Sequence, residues 1–317
     1  MTKLTNTFGI SMRNFKRFPE LPDAQELMEF GVNAEKLGYD SLWVWDHILL
    51  GVDPHFPVID SLSVLTAVAA RTEKINLGTG ILVLPFRNPV LLAKQISSMD
   101  LISGGRLIMG MASGWYKREF DALGVPFNHR GKIMDQNLEI MSRLWAEDMV
   151  TDEIGPYNMR NSVMFPKPVN KDGPPILIGG YADRVLKRAA VTGDGWLTYF
   201  YTPEGFTKSW DKIYNFAEEA GKDPATLMNC NQVPIMVGDS REAVQSPMIE
   251  WLDAEWDFPS HSDCTRDSAV MGNVDECIEQ LQAHIDVGVQ KLIFVPYKYE
   301  TEQVEVIAKE IIPRLRN

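Results

Sequence analysis

The sequence predicts an α/β protein of the (β/α)8 TIM-barrel class with loop insertions, and three observations lead to this class. Short, nearly continuous apolar runs recur eight times along the 317 residues, and segments with helical periodicity separate them. Runs that are apolar at almost every position are typical of parallel strands covered on both faces. The length is ordinary for a barrel that forms one domain. Eight strands that alternate with helices favour a closed barrel over an open, doubly wound sheet.

Each of the eight apolar runs has the length of a buried strand. They are "FGISM" (8–12), "SLWVW" (41–45), "INLGTGIL" (75–82), "RLIMGMA" (106–112), "PILIGG" (175–180), "GWLTYF" (195–200), "NQVPIMVG" (231–238) and "KLIFVPY" (291–297). We therefore expect these runs to be the barrel strands in chain order.

Helical segments lie between the strands and carry recognisable ends. Residues 23–37 have apolar side chains at positions i, i+3, i+7 and i+10, and Gly38 follows where a C-cap belongs. Asn88 and Pro89 predict the start of a second helix, since proline is favoured in the first turn. Residues 273–287 predict a third helix that leads directly into the last strand.

Two stretches do not fit the alternation of strands and helices. Residues 150–174 contain proline, glycine and asparagine without a helical period, and residues 239–272 carry Trp251, Trp256 and Phe258 among acidic residues. We expect both to be insertions at barrel loops of a single domain that spans residues 1–317. Loops that follow barrel strands build the active site of such proteins.

Composition excludes several classes of partner and site. The formal net charge of −12 does not suit non-specific binding to nucleic acid, which needs a basic face. Five histidines without H-E-x-x-H spacing and three cysteines without C-x-x-C spacing predict neither a metal site nor a disulfide framework. No apolar run approaches the roughly 18 residues that cross a bilayer, and the N-terminus lacks a signal peptide's apolar core. We therefore expect a cytoplasmic protein that does not bind membranes.

The first candidate for chemistry is the pair Asp46-His47, which comes directly after the second predicted strand. Histidine exchanges protons near neutral pH, and an adjacent carboxylate can orient it. A histidine hydrogen-bonded to a backbone carbonyl at the strand end is an equally simple interpretation. Gly78 and Gly80 interrupt the third strand, which indicates either the close approach of a ligand or a bend at a barrel corner.

Two later loops share this glycine-rich character. "GMASGWYKREF" leaves the fourth strand with two glycines and the flat rings of Trp115 and Tyr116. "ILIGGYADRVLKRAA" joins a strand to a helix through Gly179-Gly180, and amides before a helix N-terminus can bind an anion. The sequence contains neither G-x-S-x-G nor an evident carboxylate pair. A flat, phosphorylated cofactor explains the glycines and aromatic residues better than unaided hydrolysis does.

Three segments resemble the bacterial luciferase-like superfamily of flavin- and deazaflavin-dependent oxidoreductases. They are "GYDSLWVWDHIL", "INLGTGILVLPFRNPVLLAKQISSMDLISGGRLIMGMASGWYKREFDALGVPFNHRG" and "PPILIGGYADRVLKRAAVTGDGW". The likeness extends over nearly the whole chain. It implies a TIM barrel with loop insertions, usually a homodimer, that uses a flavin-type cofactor.

The resemblance also implies roles beside the cofactor ring. His47 corresponds to a residue that exchanges a proton or orients the ring, and Asp46 to one that hydrogen-bonds the cofactor. The family commonly has a cis peptide bond between non-proline residues in the third strand, which maps here to Gly80-Ile81.

At the phosphate-bearing end of the cofactor, the resemblance implies contacts from backbone groups and from one positively charged side chain. Ser113 and Gly114 correspond to residues near the phosphate-bearing side chain of the cofactor. Gly179 and Gly180 correspond to the loop that cradles the phosphate, and Arg130 is its expected charge partner.

The substrate is not identified by these patterns. Trp115 and Tyr199 are the residues expected to line its cavity, together with the two insertions. Their aromatic character suggests an apolar or ring-containing substrate, although packing on the barrel or on a dimer partner explains it equally well.

The branch of the superfamily decides the cofactor. Asp-His after the second strand is most similar to the branch that uses coenzyme F420, whereas the FMN monooxygenases more often carry Glu-His. F420 carries hydride, so this branch performs reductions and dehydrogenations without oxygen. The alternative is an FMNH₂-dependent monooxygenase that uses O₂ and a separate flavin reductase. His47 and the loop glycines argue against a third possibility, a flavin-binding barrel without activity.

Overall fold

The structure is a computed structural model that describes residues 7–256 and 265–316, and it has the predicted (β/α)8 TIM-barrel architecture. Each barrel strand overlaps one of the predicted runs. The strands are β1 (Thr7–Met12), β2 (Ser41–Val44), β3 (Asn76–Val83), β4 (Leu107–Ala112), β5 (Ile176–Gly179), β6 (Gly195–Tyr199), β7 (Met228–Val237) and β8 (Lys291–Pro296).

Helices follow the strands in the expected alternation. They are α1 (Ala24–Leu37), α2 (Ser61–Ala69), α3 (Pro89–Ser103), α4 (Lys117–Leu123), α5 (Arg130–Ala146), α6 (Asp183–Val191), α7 (Pro203–Glu219), α8 (Arg241–Glu255), α9 (Val274–Asp286), α10 (Thr301–Val306) and α11 (Ile312–Leu315), with a π-helical turn at Ile307–Ile311. None of the helices in the described part of the chain is long and apolar enough to cross a bilayer.

The predicted helix ends are confirmed by their hydrogen bonds. The Asn88 side chain accepts from the amides of Val90 and Leu91, and Pro89 opens α3. Asn273 caps α9 reciprocally with Glu276. These ends form as expected because they depend on residues within one helical turn.

The chain divides into two compact units. The terminal unit consists of Met1–Arg13, Phe30–Trp43 and Leu177–Asn317, and the central unit of Asn14–Glu29 and Val44–Ile176. The single-domain assignment with two insertions stays a prediction.

Parallel strand pairing organises the terminal unit. β6 pairs with β5 and with β7, β7 pairs with β8, and β8 pairs with β1. The ring of Phe8 stacks on that of Phe294 at a centroid distance of 6.1 Å, across the β1–β8 pair. The side chains of β8 are buried along its whole length, which explains why its sequence is almost continuously apolar.

The two predicted insertions differ in structure. Residues 150–174 contain a small hairpin that pairs Glu153–Ile154 with Tyr157–Asn158. Within 239–272, α8 is helical with Pro247 inside it, and Val270–Gly272 adds a short parallel strand beside β7. The predicted insertion residue Phe258 lies outside the described residues.

Candidate functional site

Asp46 lies just after β2 in the central unit, and its carboxylate receives four hydrogen bonds from the protein. Oδ1 accepts from Ser61 Oγ at 2.8 Å and from Arg87 Nη2 at 2.7 Å. Oδ2 accepts from the Val83 amide and from Arg87 Nη1, each at 2.8 Å. Its side chain is 1% exposed and that of Arg87 is 14% exposed. These contacts join the end of β2 to the end of β3 through a buried, bidentate ion pair.

The resemblance predicts that Asp46 hydrogen-bonds the cofactor, but its oxygen atoms already have protein partners. A carboxylate offers about four acceptor positions, and four donors of the described protein already use them. Direct hydrogen bonding of Asp46 to a cofactor stays a prediction, but the geometry favours an orienting role.

Strand β3 is irregular at the two residues that the resemblance singles out. Thr79 pairs with Met109 and Leu82 pairs with Met111, so Gly80 and Ile81 face Gly110 alone. The Gly80–Ile81 peptide bond is cis, as the resemblance implies. Gly80 is buried and Ile81 is half-buried. A bulge of two residues against one re-aims a strand's side chains, and such bulges are common beside active sites.

His47 is held by a residue that the sequence did not single out. Its Nδ1 lies 2.9 Å from Oε2 of Glu119 in the first turn of α4. Oε1 of the same carboxylate accepts from the amides of Ile48 at 2.5 Å and Leu49 at 2.9 Å. Glu119 therefore holds both the imidazole ring and the backbone that follows it.

The electrostatics of Glu119 favour the ionised form. Burial of its side chain, which is 1% exposed, raises the pKa of the carboxyl group. The hydrogen bond and attraction of His47 and the amides of Leu49 and Ile48 outweigh burial, so the net pKa is lowered. Glu119 is therefore a carboxylate at neutral pH.

The loop after β4 brings Trp115 against the same histidine. The ring of Trp115 meets that of His47 edge to face, with centroids 6.1 Å apart. Gly114 has φ +78°, and a Cβ atom there would lie 2.6 Å from Cγ1 of Val83 and 2.9 Å from Cζ of Phe120. Glycine is required here both by conformation and by space. Ser113 and Trp115 are half-buried on either side.

Arg130, the expected charge partner of the phosphate, supports this loop. Its Nε donates to the Gly114 carbonyl at 3.1 Å, and its Nη1 donates to the Phe127 carbonyl at 3.0 Å. The guanidinium lies over the Phe127 ring, 4.0 Å from its centroid. The structure thus brings Arg130, Gly114, Trp115 and His47 into one set of contacts in the central unit.

The predicted phosphate loop belongs to the terminal unit. Gly179 ends β5, and Gly180 has φ +124° before α6. The Gly180 carbonyl accepts from Nε1 of buried Trp196 at 2.7 Å, which fixes the loop. Ala182, the N-cap residue of α6, makes no side-chain capping hydrogen bond.

Tyr199, the second expected substrate residue, also lies in the terminal unit, at the end of β6. It is half-buried, and its ring contacts that of Phe200 at 5.5 Å. Phe200 has φ +58°, in a region that residues other than glycine rarely adopt. Its ring in turn lies against Trp256, 5.4 Å away. Tyr199 thus borders a buried aromatic cluster.

Sequence reasoning missed Arg87 and Glu119. Both follow barrel strands closely: Arg87 lies in "LPFRNP" after β3, and Glu119 lies in "GWYKREF", in the first turn of α4 after β4. That position was the available signal. Their partners lie 41 and 72 residues away along the chain, so no local pattern connects them.

The fold and a family match together place this chain among the luciferase-like oxidoreductases. The profile of the luciferase-like monooxygenase family matches residues 7–291, and the chain belongs to this family. Solved structures agree on the barrel: an F420-dependent secondary alcohol dehydrogenase in complex with an F420–acetone adduct superposes with a TM-score of 0.84 at 19% identity, covering 99% of this chain and 100% of that one.

Full-length relatives share the enzyme class. An F420-dependent glucose-6-phosphate dehydrogenase from Microbacterium testaceum is 26% identical and covers 95% of this chain and 96% of its own. One from Amycolatopsis mediterranei is 25% identical over 95% and 98%. The oxygenating constituent of 3,6-diketocamphane monooxygenase from Pseudomonas putida, solved with FMN, shares the fold at a TM-score of 0.78 and 16% identity, over 97% of this chain and 98% of that one.

Proposed function

We propose that this protein is an oxidoreductase that binds coenzyme F420 and exchanges a hydride between it and a small organic substrate. The observation that carries the proposal is the position of His47: it lies just after a barrel strand, and its ring is held by the buried carboxylate of Glu119. The curated relatives that cover nearly all of the chain support F420 over FMN.

The residues present fit such a cofactor at two places, each within one unit. In the central unit, the β3 bulge at Gly80 and Ile81 leaves the Ile81 side chain half-buried beside the site. In the terminal unit, Gly180 and the uncapped N-terminus of α6 suit a phosphate. Asp183 in the first turn of α6 opposes an anion, but Lys212 pairs with it at 2.8 Å.

Each residue then has a defined task. When bound, F420 supplies two-electron hydride exchange, and the protein supplies orientation and proton transfer. His47 accepts the proton of a substrate hydroxyl in one direction and returns it in the other. Asp46 and Arg87 hold the ends of β2 and β3 together. Trp115 stands edge to face with His47 and limits the space beside its ring.

Cofactor titration tests the proposal first. Purified protein is titrated with F420 and, separately, with FMN, and fluorescence is followed. We expect saturable binding of F420. Saturable FMN binding without a response to F420 would overturn the proposal in favour of an FMNH₂-dependent monooxygenase that works with a flavin reductase.

Turnover tests the role of His47. The loaded protein is assayed with secondary alcohols and phosphorylated sugars, the classes that the relatives' names indicate. We expect His47→Ala to keep F420 binding and to lower kcat by roughly 10²–10⁴-fold. Near-normal kcat in a folded variant contradicts the assignment. The homodimer stays a prediction, which light scattering measures.

A further inference from the structure

The carboxylate of Glu119 bonds both to the His47 ring and to the backbone that follows it. One buried carboxylate receives the His47 ring on Oε2 and two consecutive backbone amides, those of Ile48 and Leu49, on Oε1. The two amides hold Oε1 on the backbone side of the carboxylate. The other oxygen of the carboxylate, Oε2, faces Nδ1 of His47.

The chemistry of the pair assigns the proton. An ionised carboxylate has no hydrogen to donate, so a hydrogen bond between it and an imidazole nitrogen requires the nitrogen to carry the proton. Nδ1 is that nitrogen, at 2.9 Å from Oε2. In the neutral ring, Nε2 then holds the lone pair.

We propose that Glu119 is a positioning residue that keeps His47 in the Nδ1–H tautomer and so presents Nε2 as the proton acceptor. This inference rests on the proposed function for its catalytic meaning. Bound F420 would take the hydride that the carbon of a substrate alcohol gives up, and Nε2 of His47 would take the proton of its hydroxyl. The carbonyl product forms, and the resulting imidazolium is stabilised by the Glu119 carboxylate.

Glu119→Gln is the variant that separates positioning from packing. Its single carbonyl oxygen is expected to keep the two backbone amides, because both already converge on one oxygen. The amide NH₂ then faces Nδ1 and donates to it. His47 must accept at Nδ1 and carry its proton on Nε2, the opposite tautomer, in a side chain of nearly the same size.

The tautomer is read directly by long-range ¹H–¹⁵N correlation spectra of the protein without cofactor, in a pH series carried upward until the His47 ring is neutral. His47→Asn assigns the signals. We expect a protonated Nδ1 in the wild type and a protonated Nε2 in Glu119→Gln. Asp121→Asn is the matched control, since this carboxylate lies on the same helix but pairs with Lys117 in an exposed position, and it is expected to leave the tautomer unchanged.

The outcomes are distinct. A neutral wild-type ring with its proton on Nε2 overturns the proposal whether or not the variant folds, and so does an unchanged tautomer in folded Glu119→Gln. In the loaded enzyme, Glu119→Gln is expected to lower kcat by on the order of 10²-fold or more with little change in KM. If the wild type does not bind F420, the proposed function fails while the tautomer result stands.

Discussion

Replacing Arg87 by Met tests the buried ion pair with Asp46. Methionine keeps most of the apolar stem of arginine and removes the two guanidinium hydrogen bonds at 2.8 and 2.7 Å. Among the described residues, Asp46 then keeps the Ser61 hydroxyl and the Val83 amide as donors. An uncompensated charge would remain in a side chain that is 1% exposed.

The expected loss in the free energy of unfolding is about 3–5 kcal/mol, the range for removing one partner of a buried pair. The double variant Asp46→Asn, Arg87→Met is expected to recover part of that loss, because it leaves no buried charge. Urea unfolding, followed by tryptophan fluorescence, measures both.

Arg143→Met is the matched control. Arg143 also contacts two carboxylates, those of Glu147 and Asp152, each at 2.6 Å, but these partners are 41% and 54% exposed. We expect little change in the unfolding midpoint there, because solvent screens exposed pairs. A loss for Arg87→Met no larger than that of the control would refute the reasoning.

Three further predictions concern stability. The pKa of Glu119 is lowered from 4.5, so its ionised carboxylate stabilises the fold above about pH 4.5. This stability is lost as the pH falls through the lowered pKa. In urea unfolding measured over a pH series, Glu119→Gln should therefore lose less stability at acid pH than the wild type does. Burial lowers the pKa of His284 to about 4, so between pH 6.5 and 4 the imidazole gains a proton in the unfolded chain but not in the folded one. Over this range the free energy of unfolding of the wild type should fall by about 3 kcal/mol, and that of His284→Gln should not. The Arg106 guanidinium donates to the Thr72 hydroxyl and to four backbone carbonyls, those of Ser103, Ile75, Ala69 and Thr72. Arg106→Lys should lower the free energy of unfolding by about 2–4 kcal/mol, because lysine cannot make this set of bonds. Thermal unfolding measures the loss, and a value below about 1 kcal/mol contradicts the prediction.

Secondary structure followed closely from the sequence where the determinants were local. Asn88-Pro89 opens α3 and Asn273 caps α9, because each cap depends on amides two or three residues away. The helix α8 was not predicted, because residues 239–272 were expected to be an insertion; Pro247 lies inside Arg241–Glu255 and interrupts its helical pattern.

By itself, the sequence determined the barrel, the eight strands and the position of Asp46-His47 at a strand end. Continuous apolar runs, helical periods and caps can all be recognised in segments of about 15 residues. They therefore need no knowledge of distant contacts. Only the tertiary structure decided that Arg87 neutralises Asp46 and that Glu119 orients His47. Arg87 and Glu119 follow different barrel strands, and the carboxyl ends of parallel barrel strands lie at the same end of the barrel. The hydrogen-bond partner of the histidine ring depends on that packing, and no local pattern encodes it.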